Sequence, residues 1–176
     1  MIVAVYSVGH SNRTFEEFAD ILADAAIDLV VDVRTFPRSR SNPVFNIDVL
    51  PDSLQERGIA YEHWPDLGGR RKHQDDVPEA YNALWRNRSF HNYADYALSD
   101  PFQAALKALI LRAQSSNLAM MCSEAVWWRC HRRIITDHLI LRGHSVHHLM
   151  GNGRIDPAKV TPGAVLTDEG EVLYPG

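Results

Sequence analysis

Ile2 to Val33 reads IVAVYSVGHSNRTFEEFADILADAAIDLVVDV, and this stretch decides the fold. Ile2 to Val8 is apolar and β-branched, then breaks at Gly9-His10-Ser11-Asn12-Arg13, which predicts a strand and a loop. Thr14 with Glu17 three residues later has the form of a capping box. Phe15, Phe18, Ile21 and Leu22 then recur at helical spacing and fade near Ala25. Ile27 to Val33 is a second apolar run, interrupted only by Asp28 and Asp32. Strand, helix and strand in this order form the repeating unit of a parallel sheet.

The rest of the chain continues the alternation. A loop from Arg34 to Pro43 carries Pro37, Arg38, Ser39 and Arg40. Val49, Leu50 and Leu54 predict a short helix that stops at Gly58. Ile59 to Trp64 reads as a third strand. Pro65 to His91 is polar and irregular apart from a weak helical patch at Tyr81 to Trp85, as expected of an active-site insertion or a mobile loop. Asp100-Pro101 opens a helix with Phe102, Leu106, Leu109 and Ile110 on one face. Leu118 to Cys122 predicts a strand, Arg129 to Leu141 a helix, and Ser145 to Met150 the last parallel strand. Two short apolar runs flank Asp168-Glu169-Gly170-Glu171, a hairpin pattern. The expected fold is a single-domain, three-layer α/β structure with a mostly parallel sheet and a long loop after the third strand. Residues 1–150 form the α/β domain, and 151–176 a tail packed on it or extending from it.

Composition narrows the function classes. The 176 residues are 45% apolar and 23% charged, ordinary values for a globular protein. Two cysteines cannot build a disulfide framework and suit a reducing compartment, so a cytoplasmic location is expected. No apolar run approaches the length of a membrane helix, and the short apolar start lacks the basic flank of a signal peptide. The net charge of −4 provides no global basic field for nucleic acid or an anionic membrane. Only Lys72, Lys107 and Lys159 of the 18 basic residues are lysines. The others are arginines, the better side chain for gripping carboxylate or phosphate in a bidentate manner.

In parallel sheets, ligands bind beyond the carboxyl ends of the strands. Three predicted strand ends carry chemistry. After the first, His10 is a candidate base or anion ligand, and Ser11 and Asn12 offer donors to a phosphate or caps to the helix. After the second, Arg34 and Arg38 are candidate anion ligands, and Asp32 either orients Arg34 or acts as a carboxylate catalyst. After the fourth, Cys122 is a candidate nucleophile beside Glu124, its alternative being a small buried hydrophobe. The run from Cys122 to Arg129 is similar to the cysteine-to-arginine loops of phosphatases and rhodaneses, with one residue more between the two. Arg129, His131, Arg132 and Arg133 fall in the first turns of the predicted helix, where positive charge opposes the macrodipole and a bound anion would reverse the penalty. Cys130 shares a helix face with Ile134 and reads as packing. His10, Cys122, Glu124, Cys130 and His131 lack the close spacing of a zinc motif, so no cofactor is predicted and a metal is left open. Cys122 and Cys130 lack the spacing of a redox Cys-x-x-Cys pair. Trp64, Trp85, Trp127 and Trp128 lie near arginines in sequence, a pattern that serves either base stacking or core packing.

Taken together, Gly9-His10-Ser11-Asn12-Arg13, Asp32-Val33-Arg34 with Pro37-Arg38-Ser39, Leu67-Gly68-Gly69, Tyr93-Ala94-Asp95-Tyr96, and Cys122-Ser123-Glu124 with Cys130-His131-Arg132 resemble the domain of unknown function 488 family. The likeness runs from about Val5 to His148. Ser123 stands where many members have alanine. The resemblance implies a compact α/β domain whose signature residues gather at one pocket, and it implies no particular reaction. The expected function is an enzyme acting through Cys122, Glu124 and His10 on a small phosphorylated or nucleotide-like anion. The alternatives are a nucleic-acid-binding module and a metal or redox cysteine site.

Overall fold

Alternation along β4 (Leu118–Cys122) assigns the two faces of the sheet. Leu118, Met120 and Cys122 enter one core with Val31 and Val33, whereas Ala119 and Met121 enter the other with Val8 and Val30. Strands buried on both faces read as continuous apolar runs, which is why the sequence pattern is not a polar–apolar alternation. The structure, a computed structural model, describes residues 1–176. Its main sheet has the order β3-β2-β4-β1-β5-β6. In it β1 (Ala4–Gly9), β2 (Leu29–Asp32), β3 (Ala60–His63), β4 and β5 (Ser145–Gly151) are parallel, and β6 (Arg154–Pro157) runs antiparallel on the edge of β5.

Helices α1 (Phe15–Asp24) and α2 (Leu50–Gln55) cover one face with Phe18, Ile21, Leu22, Leu50 and Leu54. Burying each such side chain contributes on the order of 1.5–3 kcal/mol. The start of α1 is fixed by the capping box: the Thr14 hydroxyl accepts the Glu17 N–H at 3.1 Å, and the Glu17 carboxylate accepts the Thr14 N–H at 2.8 Å. The other face carries α3 (Arg88–Tyr96), α4 (Asp100–Ala113) and α5 (Arg132–Leu141). The C-terminal hairpin of β7 (Val165–Leu166) and β8 (Val172–Leu173) packs there too, with Val172 and Tyr174 fully buried.

Two local expectations need correction, and the sheet gains one strand. The segment after β3 contains α3, begun by Asn87, whose side chain accepts the Ser89 and Phe90 N–H groups. This helix buries His91, Asn92 and Asp95 beside Tyr93 and Tyr96, so it shows no apolar stripe. The last helix begins at Arg132, not Arg129, because Trp127–Arg129 form one 3-10 turn and Cys130 is extended, with φ −126° and ψ 153°. Finally, β6 adds a sixth, antiparallel strand.

The order of strands creates a crevice. From β1 the chain leaves through α1 on one face, and from its neighbour β4 it leaves through α5 on the other. Adjacent strands with diverging exits are the switch point where ligands bind in open α/β sheets. Here Gly9 pairs with Cys122, and the ladder continues past the strands with His10 N–H to the Cys122 carbonyl and Ser11 N–H to the Ser123 carbonyl, both 2.9 Å. Only glycine permits this approach, since a Cβ on residue 9 would lie 1.9 Å from the Glu124 carbonyl oxygen.

Candidate active site

A cavity of about 610 Å³ opens at this crevice. The loop after β1 contributes His10, the end of β2 contributes Arg34, and the next turn brings Thr35, Phe36 and Arg38. Gly69 and Arg70 enter from the segment after β3, and Ser89 and Phe90 from the start of α3. The chain between β4 and α5 supplies Cys122, Ser123, Glu124, Arg129, Cys130 and His131.

On one wall, Asp32 holds Arg34 in a fork, with Nε to Oδ1 at 2.9 Å and Nη2 to Oδ2 at 2.7 Å. Both are buried, and the Tyr61 hydroxyl also donates to Asp32 Oδ2. Arg34 Nη2 donates further to the Phe45 carbonyl at 2.8 Å. Its Nη1 lies 3.3 Å from His10 Nε2, which accepts because His10 Nδ1 donates to the Ser11 carbonyl at 2.8 Å. His10 is stacked on Phe45 and neutral: burial, then the Arg34 charge against the opposing pull of the Ser11 carbonyl, lowers its pKa to about 4. With its lone pair taken by Arg34, His10 orients the guanidinium.

On the floor, four groups meet. Cys122 and Cys130 sulfurs are 2.8 Å apart. Cys130 Sγ lies 3.4 Å from His131 Nδ1 and accepts the Arg132 backbone N–H at 3.4 Å. His131 Nε2 donates to the Val33 carbonyl at 2.8 Å, which leaves Nδ1 to exchange a proton with the thiol. The ring is held by Tyr93, edge-on at 5.1 Å, and by Gly69, where a Cβ would sit 2.5 Å from Nδ1. Burial alone would raise the Cys130 pKa, but the hydrogen bond from Cys122 and the charges of His131 and Arg132 outweigh it and hold it well below the ordinary thiol value. Burial and the neighbouring sulfur push Cys122 up. The surroundings therefore favour negative charge on Cys130 over Cys122.

Arg132 lies behind the sulfurs, 1% exposed. It donates to Ser7 Oγ at 3.0 Å and to the Glu124 carbonyl at 2.5 Å, its Nε has no partner, and no carboxylate faces it. A buried cation without a counter-charge is costly, and negative charge on the two sulfurs would offset that cost. Ser7 in turn donates to His148 Nδ1 at 2.5 Å, and His148 stacks on Trp127 with centroids 4.4 Å apart.

The rim is basic. Arg38 pairs with Asp48 at 3.3 Å, but Arg70 and Arg129 have no carboxylate within ion-pair distance. Arg70 lies over the exposed Phe36 ring at 5.3 Å. The one carboxylate lining the cavity, Glu124, caps its own loop by accepting the Val126 N–H at 3.0 Å. No group of three or more His, Cys, Asp or Glu side chains is disposed to hold a metal ion, and no helix is long and apolar enough to cross a membrane.

The model of a family described as Domain of unknown function DUF488 matches residues 14–139. The chain belongs to the DUF488 family. No curated protein and no solved structure matches it. The DUF488 match contains Asp32, Arg34, Gly69, both cysteines, His131 and Arg132, and it begins after Gly9 and His10.

Of the site residues expected from sequence, the structure of this DUF488 protein brings His10, Arg34, Arg38, Cys122, Glu124, Arg129 and His131 to one cavity. Ser11 and Asn12 do not line it: Ser11 turns with a φ of +49°, and Thr14 caps the helix instead. Arg132 does not reach the cavity either, because its guanidinium is used behind the sulfurs. Cys130 packs against Cys122, not along a helix face with Ile134, since it precedes the helix. Sequence reasoning misses Arg70, Ser7 and His148 as parts of the site, and reaches Gly69 only through the family resemblance. Gly69 carried a signal in the Leu67-Gly68-Gly69 motif, but Ser7 lies within an apolar strand and gives none.

Proposed function

We propose that this protein is an enzyme that attacks a small anionic substrate with a thiolate centred on Cys130. The observation that carries the reading is the meeting of Cys122, His131 and Arg132 around Cys130 Sγ at the floor of an arginine-rimmed cavity. Reactive cysteines occupy such electropositive surroundings, and Cys130 lines the cavity. Cys130 is the nucleophile, His131 Nδ1 takes its proton, and Cys122 donates a hydrogen bond to the thiolate. Arg132 provides the buried counter-charge. Arg70 and Arg129 attract the substrate anion, and Arg34, oriented by Asp32 and His10, has one N–H left to contact it. A small compound bearing carboxylate or phosphate groups has the charge that these arginines serve.

Alkylation by iodoacetate, an anion, and by iodoacetamide, its neutral counterpart, tests thiolate and rim together. Wild type should favour iodoacetate beyond the ratio seen with a free thiol. Replacing Arg70 and Arg129 with glutamine should abolish that preference, in line with steering effects of roughly tenfold or more. Slow reaction with both reagents removes the thiolate from the proposal. A rapid reaction that ignores reagent charge removes the anionic substrate.

A further inference from the structure

We infer that Cys122 and Cys130 cycle between a dithiol and an intramolecular disulfide, and that the substrate is an anionic low-molecular-weight disulfide. This deepens the proposal above and rests on its Cys130 thiolate.

The second thiol is what a single-nucleophile enzyme does not need. Cys122 Sγ lies 2.8 Å from Cys130 Sγ, so a modest rotation of either side chain closes the gap to a bond of about 2.05 Å. The two residues come from different backbone segments, the end of β4 and the extended residue before α5, and neither is clamped inside a helix. Both sulfurs are buried within the protein yet line the same cavity, so a substrate that reaches one is presented to the other. Glu124 already occupies the Val126 N–H, which withholds that amide from a substrate oxygen. Arg70 and Arg129, free of carboxylate partners, fit the carboxylates of a charged disulfide such as one built from two acidic thiols.

The exchange balances without a further co-reactant. The Cys130 thiolate attacks one sulfur of RS–SR′, forming a mixed disulfide and expelling R′S⁻, which takes the proton held on His131 Nδ1. Cys122 then attacks Cys130 Sγ, forming the protein disulfide and expelling RS⁻, which carries away the proton that Cys122 gives up. Two protein thiols are oxidised and one substrate disulfide is reduced to two thiols. An external dithiol restores the pair by the reverse exchange.

The experiment mixes fully reduced protein with glutathione disulfide and follows intact mass after acid quenching. Wild type should become two hydrogens lighter while releasing two thiols, with only a transient adduct. Cys122→Ser should stop at one glutathionyl adduct on Cys130, and Cys122→Ala serves as the second variant should serine perturb the core. The uncharged bis(2-hydroxyethyl) disulfide should react about tenfold more slowly than glutathione disulfide, relative to the same pair reacting with a free thiol, and Arg70→Gln with Arg129→Gln should erase the difference. A stable mixed disulfide in wild type overturns the resolving role of Cys122. No reaction with either disulfide, in protein whose Cys130 alkylates rapidly, overturns the substrate class and leaves the thiolate standing. No alkylation either overturns both.

Discussion

At Arg132 a positive charge is buried beside two sulfurs, and against the opposing effect of burial it adds to the Cys122 hydrogen bond and to His131 in lowering the Cys130 pKa. Arg132→Met keeps much of the side-chain length and removes the charge. The alkylation midpoint of Cys130 should then rise toward the free-thiol value of about 8.5. The sign for stability follows from linkage. Cys130 has a folded pKa below its unfolded value, so its contribution is present above the unfolded value and lost as pH falls through the folded one. The Asp32–Arg34 fork makes a second test. Its partners are 0% and 6% exposed, and breaking a buried pair on one side costs roughly 3–5 kcal/mol. Asp32→Asn should lose stability of that order in urea unfolding and leave Arg34 free to swing from His10. An unchanged unfolding midpoint would mean that solvent already relieves the pair.

The elements that could be read from sequence are those with local causes. The βαβ unit from β1 to β2 is legible because Thr14, Glu17 and the Phe18–Leu22 stripe act within a few residues of one another. Thr14→Ala should cost about 1 kcal/mol, measurable by thermal unfolding. Helix α3 is not legible, because its buried face holds His91, Asn92 and Asp95, which bond to groups outside the helix: Asn82 Nδ2 donates to Asp95 Oδ1 at 2.7 Å, and Asn92 Nδ2 donates to the Arg71 carbonyl at 3.3 Å. The convergence of His10, Arg34 and Cys122 at one rim is legible from the strand-end rule. The thiol pair is not, since spacing suggests neither a redox motif nor anything but packing for Cys130. The pairing depends on the 3-10 turn at Trp127–Arg129, which returns the chain over Cys122. Packing between segments also predicts the effect of Gly69→Ala. A Cβ 2.5 Å from His131 Nδ1 displaces the ring, so the Cys130 midpoint should rise while the unfolding midpoint moves little. Unchanged alkylation would remove His131 from the proton path.

Across the whole molecule, three buried histidines make the fold acid-sensitive. Burial lowers His10 to about 4, His138 to about 3 and His148 to about 3. Each takes up a proton on unfolding at pH values between its folded pKa and about 6.5, so stability must fall as pH drops through that window. The limiting slope is about 4 kcal/mol per pH unit for three protons. The raised carboxyls of Asp95 and Asp137, each shifted chiefly by burial, oppose it. Urea unfolding between pH 7 and 4.5 should show the decline, and His148→Gln should flatten it by one proton. The tail contributes to the same unit, because Tyr174 is buried and donates to Asp137 Oδ2 at 2.7 Å. Function, however, turns on where the thiolate sits, and the pH profile of alkylation read cysteine by cysteine tests that most directly. Wild-type protein is treated with limiting iodoacetamide at a series of pH values, and the modified peptides are assigned by mass. Cys130 should react first, with a midpoint well below about 8.5, and Cys122 only at higher pH. Reaction of Cys122 ahead of Cys130, or equal and sluggish reaction of both at neutral pH, would contradict a thiolate centred on Cys130.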